Sequence, residues 1–323
     1  MRGVVPTVDL ADPDRDVAAA IDVACRRVGF FQILGHGIDP IVIDDAWNMA
    51  TRFFDLPHAA RMAVRIPDGD AYGYAPYRSE ALAAGFGQST PPDLKETFSV
   101  GPLGSTTAGL DDPVAAFVFS PNRWPPELPE LETAFDAYYR AMGGLAARIL
   151  SFAASALGLP SDFFERFVDR HTSALRALRY PDLGATPVEP GQLRAGAHSD
   201  YGTLTLLRQD GAPGGLQVRG LDGRWHDVPS MPGAFVVNVG DALERWSNDR
   251  WRSTVHRVAV PPHDPDRDST RMSLAFFHNA NWDAQLECLP TCSDAEHPAR
   301  YAPTTAGRHL MDKFRSTQDR TTR

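Results

Sequence analysis

Three stretches of the chain carry apolar residues at helical spacing, and the second half switches to short alternating runs. Val17, Ile21, Ala24 and Val28 step by four, three and four, which predicts a helix from about Asp14 to Val28, stopped by Gly29. A second helix is expected from Pro40 to Phe54, halted before Pro57. The clearest lies at 127–157, where Leu131, Phe135, Tyr138, Met142, Leu145, Ile149, Phe152 and Ala156 form one stripe. Gly158 and Pro160 end it, and Ser161 is placed to cap a short helix from Asp162 to Val168. Residues 4–10 read as a short strand and 29–38 as a compact strand and turn. Between about 65 and 122 the pattern loosens into loop with short elements, rich in Gly, Ser, Thr and Pro.

Beyond residue 172 the segments are short, often alternating and bounded by turn residues. Strands are expected at 174–180, 201–207, 214–218, 224–228, 234–239, 252–260 and 271–278, with turns at Asp210-Gly211, Asp222-Gly223 and Pro232-Gly233. Such a set fits a double-sheet jelly roll. The fold class is therefore mainly β with flanking helices (α+β): a double-stranded β-helix core behind a helical N-terminal region. The expected division is an N-terminal module at 1–122, supporting helices at 123–171, the jelly-roll core at 172–282, and a closing loop and helix at 283–323. The last helix is placed near Thr305 to Phe314.

Composition narrows the partners more than the fold. With 32 basic against 41 acidic residues the net charge is −9, which argues against nucleic acid or an anionic membrane surface and leaves a small molecule. No run is long enough to span a bilayer, and the first residues lack the apolar core of a secretory leader. Cys25, Cys288 and Cys292 form neither a disulfide framework nor a zinc spacing, so a reducing cytoplasm is expected. Oligomeric state is not legible, with a monomer favoured.

The candidate chemistry starts at His198-Ser199-Asp200. In an extended strand, residues two apart share a face, so an imidazole and a carboxylate would stand side by side. On its own the tripeptide says little: with 41 acids in 323 residues, ten histidines give roughly one His-x-Asp/Glu by chance. His256 is the best third ligand, and two histidines with one carboxylate form the facial set of non-haem Fe(II) oxygenases. On the last strand Arg271 and Ser273 would share an interior face. A buried guanidinium wants an anion, either a protein carboxylate such as Asp241 or Glu244, or a ligand carboxylate bound with help from Ser273 and Tyr180. A 2-oxo acid could chelate the metal with its near end and rest its far carboxylate there, leaving one position for O2. His36, between two glycines, and His278 are read as structural or, for His278, substrate-facing.

These residues sit in a longer series of motifs. Gly29-Phe30-Phe31-Gln32, His36-Gly37-Ile38, Phe53-Phe54-Asp55-Leu56-Pro57 and Asp93-Leu94-Lys95-Glu96 precede Tyr180-Pro181, then His198-Ser199-Asp200-Tyr201-Gly202-Thr203-Leu204-Thr205 and Gly214-Gly215-Leu216-Gln217-Val218. Pro232 to Asp241, Ser253 to Val258 and Arg271-Met272-Ser273 follow. In content and order the chain resembles the isopenicillin N synthase-like Fe(II)/2-oxoglutarate dioxygenases over nearly its whole length. The resemblance implies Fe(II) on His198, Asp200 and His256, and the C5 carboxylate of 2-oxoglutarate on Arg271 and Ser273, helped by Tyr180. It implies hydroxylation or desaturation of a small-molecule metabolite using O2, with 2-oxoglutarate leaving as succinate and CO2. Two positions depart from the pattern: Leu178, where plant members often carry asparagine, and Ala280, where proline is common. A related oxidase working without 2-oxoglutarate and a non-catalytic binding protein are the alternatives. Tyr72, Tyr74, Tyr77, Phe86, Met311 and Phe314 are the candidate substrate contacts by position alone.

Overall fold

The computed structural model describes residues 4–13, 16–83, 90–104, 114–184, 187–212, 215–262, 264 and 266–321, with side chains to residue 315. Phe86 lies outside the described residues.

Two sheets face each other. The major sheet runs in spatial order β1 (Thr7–Asp9), β2 (Phe30–Leu34), β10 (Phe235–Val239), β7 (Leu204–Gln209), β12 (Arg271–His278), β5 (Ala174–Tyr180), β4 (Glu96–Val100) and β3 (Gly73–Ala75). All its pairings are antiparallel except β1 with β2. The minor sheet is β6 (Ala195–His198), β11 (His256–Val258), β8 (Leu216–Arg219) and β9 (Trp225–Asp227). A two-stranded ribbon pairs β13 (Gln285–Leu286) with β14 (Thr304–Thr305). Four of the eight major strands come from residues 7–100, so the N-terminal region and the jelly roll share one sheet.

The helices are α1 (Val17–Arg27), α2 (Pro40–Phe54), α3 (His58–Ala63), α4 (Ala115–Val118), α5 (Glu130–Ala156), α6 (Glu165–Val168), α7 (Asp241–Trp246) and α8 (Ala306–Thr321). The Asp16 carboxylate accepts from Ala19 N at 2.9 Å, so α1 begins two to three residues later than periodicity alone suggests. Gly29 ends that segment at φ +70°, and a Cβ there would stand 2.0 Å from Arg252 O; only glycine fits both demands. Ser161 does not cap α6: the helix starts at Glu165 behind Phe164, with no side-chain cap.

β12 shows how the layers are built. Met272, Leu274 and Phe276 point to the main core with the α5 stripe of Phe135, Tyr138, Met142 and Ile149. Ala275 and Phe277 point the other way, into a cluster with Leu178, Tyr180, Ala195 and Val258 between the sheets. Each large apolar side chain buried this way contributes about 1.5–3 kcal/mol, so the long α5 stripe anchors the sheet from outside and leaves the interior for chemistry. No described helix is long and apolar enough to cross a membrane.

Candidate active site

β6 carries His198 to its last position, directly opposite His256 at the start of β11, with ring centroids 4.3 Å apart. The chain then crosses to the major sheet, and Asp200 lies in that crossing. The expectation that His198 and Asp200 share one strand face is therefore corrected: the strand ends first, and a turn brings the carboxylate round. Asp241 N donates to Asp200 O at 2.8 Å, Gly240 N to Thr203 O at 2.9 Å, and Ala242 N to Gly202 O at 3.0 Å. A Cβ on Gly240 would stand 2.2 Å from Gly202 O, so the two segments touch at backbone level.

The turn places Asp200 Oδ1 3.8 Å from His198 Nε2 and 3.7 Å from His256 Nε2. One ligand atom from each residue lies within 4.8 Å of the others. His198 Nδ1 bonds Gly196 O at 2.7 Å and His256 Nδ1 bonds Thr254 O at 3.0 Å. A carbonyl only accepts, so each Nδ1 carries the hydrogen and each Nε2 keeps a lone pair toward Asp200. Burial, then the neighbouring His256, brings His198 down to about 4 against the pull of Asp200, so it is neutral at neutral pH, as a metal ligand must be. Burial alone would raise Asp200, but the two histidines and its hydrogen bonds hold it below the ordinary carboxylate value.

Those bonds come from Thr205 Oγ1 at 2.6 Å and Asn238 Nδ2 at 2.7 Å, both to Oδ2. Thr205 and Asn238 are register partners on β7 and β10. They occupy one carboxylate oxygen and leave Oδ1 facing the imidazoles. Sequence reasoning passed over both, although Asn238 is the single polar side chain in Ala234-Phe235-Val236-Val237-Asn238-Val239.

Arg271 pairs in register with Tyr180, and its guanidinium carbon lies 5.0 Å from the tyrosine ring centroid. It is 1% exposed, donates from Nη2 to Gln209 Oε1 at 3.0 Å, and has no partner for Nη1 among the described residues. Among the described residues no carboxylate reaches it: Asp241 Oδ2 is 2.5 Å from Lys313 Nζ, and Glu244 Oε1 accepts from Ser253 N at 2.8 Å. That removes the protein-carboxylate alternative for these two residues. Ser273, also buried, follows on the same face, opposite Leu178 and Gln209. A second buried arginine, Arg194, donates to Ser269 O, and burial followed by Arg271 lowers its pKa. Two adjoining guanidinium groups suit an anion.

The other candidates divide. Tyr74 lies on the helix side of the sheet beside Phe53, its hydroxyl donating to Glu96, away from the cluster. The Tyr72 hydroxyl is taken by Val118 O at 2.8 Å and Tyr77 is 38% exposed, so of the three tyrosines Tyr74 alone is placed on the far side of the sheet. Met311 and Phe314 pack with Tyr201, the residue after Asp200; the Phe314 and Tyr201 rings are 5.5 Å apart. His36 bonds Gly233 O at 3.2 Å and accepts from Ile38 N, a structural role. His278 is fully buried on the helix side, with Nδ1 on Thr203 Oγ1 at 2.7 Å, and is no fourth ligand.

Two imidazoles and a carboxylate at one end of a double-stranded β-helix, beside a buried arginine pocket, define a non-haem iron oxygenase. Residues 5–127 match the family described as non-haem dioxygenase in morphine synthesis N-terminal, and residues 172–280 match the 2OG-Fe(II) oxygenase superfamily. The chain is 33% identical over 324 aligned positions to validamycin A dioxygenase of Streptomyces hygroscopicus subsp. limoneus, covering 97% of this chain and 86% of that one. It is 30% identical to a homoarginine-6-hydroxylase of Arabidopsis thaliana, covering 97% of each. The crystal structure of Neurospora crassa T7H in complex with alpha-KG is similar with a TM-score of 0.81 and 31% identity, covering 97% of this chain and 96% of that one. The chain belongs to the 2OG-Fe(II) oxygenase superfamily; it is an Fe(II)- and 2-oxoglutarate-dependent oxygenase acting on a small molecule.

Proposed function

We propose that His198, Asp200 and His256 hold Fe(II), that Arg271, Ser273 and Tyr180 bind the C5 carboxylate of 2-oxoglutarate, and that the reaction is hydroxylation of an unactivated C–H bond. The observation that carries this is the fit of the donor set: two imidazole nitrogens and one aspartate oxygen converge, while a buried guanidinium nitrogen facing the same interior has no partner among the described residues. When bound, iron with 2-oxoglutarate and O2 supplies the oxidising power, the co-substrate leaving as succinate and CO2. The protein orients and protects. Gly196 and Thr254 carbonyls fix the imidazoles, Thr205 and Asn238 reserve one Asp200 oxygen, and Arg271 neutralises the far carboxylate. Leu207 and Phe277 line the same interior and keep it poor in water.

The acidic balance supports a small-molecule partner without nucleic acid or membrane. Three free cysteines support a cytoplasmic location. The test measures O2 uptake, succinate and oxidised product together. Equal succinate and O2 are expected, with His198→Ala and Asp200→Ala inactive but folded. Substrate oxidation without succinate would point to oxidase chemistry, and no Fe(II) binding to a non-catalytic binding protein.

A further inference from the structure

The interior wall formed by β4 and β5 is charged. Phe98, Val100, Leu175 and Ala177 face the helix-side core, and Leu178 and Tyr180 face the interior. Strand alternation therefore directs Thr97, Ser99 and Arg176 inward, with Lys95 just ahead of β4 on the same side. Register makes Ser99, Arg176, Ala275 and Leu207 neighbours across four strands. The next interior row is Ala174, Phe277, Thr205 and Asn238, the last two of which hold Asp200. Arg176 is thus one row, about 7 Å along the strand, from the row that carries the aspartate.

A chain of alternating charges covers this wall. Arg176 Nε donates to Ser99 Oγ at 2.9 Å and Nη1 to Glu80 Oε1 at 3.2 Å. Glu80 Oε2 is 3.2 Å from Lys95 Nζ, which donates to Asp93 Oδ2 at 2.7 Å. The Arg176 and Glu80 side chains keep 25% and 26% of their surface accessible, while Lys95 keeps 1%. Thr97 Oγ1, fully buried on the same wall, has no partner among the described residues. Burial would raise Glu80, but Arg176 and Lys95 outweigh it and hold it at about 2, so it is ionised.

Two cations and two anions sum to zero. A hydrocarbon skeleton against this wall would strip water from Arg176 and Glu80 and return no hydrogen bond. A molecule of net charge would compete with a partner already in place. A neutral or zwitterionic molecule can add to both free edges without breaking the chain.

We propose that Glu80 and Arg176 form the recognition wall for the prime substrate, and that this substrate is hydrophilic, uncharged or zwitterionic, placing a donor on Glu80 and an acceptor on Arg176. The proposal rests on the oxygenase reading above and deepens it. The test uses the full chain with Mn(II) in place of iron and 2-oxoglutarate bound. Calorimetric titration compares a hydrophilic panel (amino acids, aminocyclitols, nucleobases, nucleosides) with an apolar one (flavonoids, steroids, terpenoid acids). A hydrophilic ligand is expected, its affinity falling about tenfold or more in Arg176→Met and in Glu80→Gln. Both variants should bind 2-oxoglutarate like the parent, which reports their fold; should Arg176→Met fail to fold, the near-isosteric Glu80→Gln carries the comparison. Absence of any hydrophilic ligand, preference for the apolar panel, or affinity within about twofold in both variants overturns the proposal. A parent chain that binds no 2-oxoglutarate with Mn(II) overturns the oxygenase reading and this one with it.

Discussion

Removing the Asn238 amide tests how the aspartate ligand is prepared. Asn238 is 3% exposed and donates at 2.7 Å to Asp200 Oδ2, with Thr205 donating to the same atom. A hydrogen bond to a buried charged group is worth about 1.5–3 kcal/mol, and 1.4 kcal/mol is about tenfold in affinity. The bound ion takes over part of that stabilisation, so Asn238→Ala should weaken metal binding by about 10–100-fold, the range for outer partners of metal ligands. Thr205→Val should fall in the same range. Because both residues bond one oxygen and pair with each other, their effects in the double variant should depart from additivity. The amide also helps hold the Asp200 pKa down. Without it that pKa rises, protons compete sooner, and the deficit should widen as pH falls. Anaerobic titration with Co(II) or Fe(II) against a competing chelator measures this, with circular dichroism to confirm the fold. Affinity within about twofold of the parent in both single variants would refute the reasoning.

Arg271→Met should raise the dissociation constant for 2-oxoglutarate by about 10–100-fold, the worth of a charge-assisted pair, and leave metal affinity unchanged; co-substrate titration with Mn(II) checks it. Burial, with Asp241 and Asp249 nearby, pushes Glu244 up to about 7 against the bond from Ser253 N. A carboxyl whose folded pKa lies above its unfolded value of 4.5 contributes most stability at low pH and loses it as pH rises from there toward 7. Glu244→Gln should therefore raise Tm at pH 8 relative to the parent and narrow the gap at pH 5. Gly240→Ala forces a Cβ to 2.2 Å from Gly202 O, and should lower both Tm and metal affinity by displacing the turn that carries Asp200.

The sequence was most legible where one physical signal dominated. The α5 stripe and the strands 174–180 and 271–278 stand where periodicity put them, because each buries apolar side chains at regular spacing. The Gly, Ser, Thr and Pro content of 65–122 points to loop with short elements and does not single out β4, whose polar residues serve an ion network on one face and the charged interior on the other. The break between His198 and Asp200 is hidden as well, since the crossing is held by bonds to Gly240 and its neighbours, far along the chain. Arg271 could be singled out from its strand, but what answered its charge depended on where Asp241 and Glu244 spend theirs, which only tertiary structure decides.

The central claim is that His198, Asp200 and His256 hold one iron ion beside a 2-oxoglutarate pocket anchored by Arg271. Its most direct test is the anaerobic visible absorption of the chain with Fe(II) and 2-oxoglutarate. A charge-transfer band saturating at one iron per chain is expected, requiring both components and lost in His256→Ala and Asp200→Ala. An undiminished band in either variant would contradict the assignment.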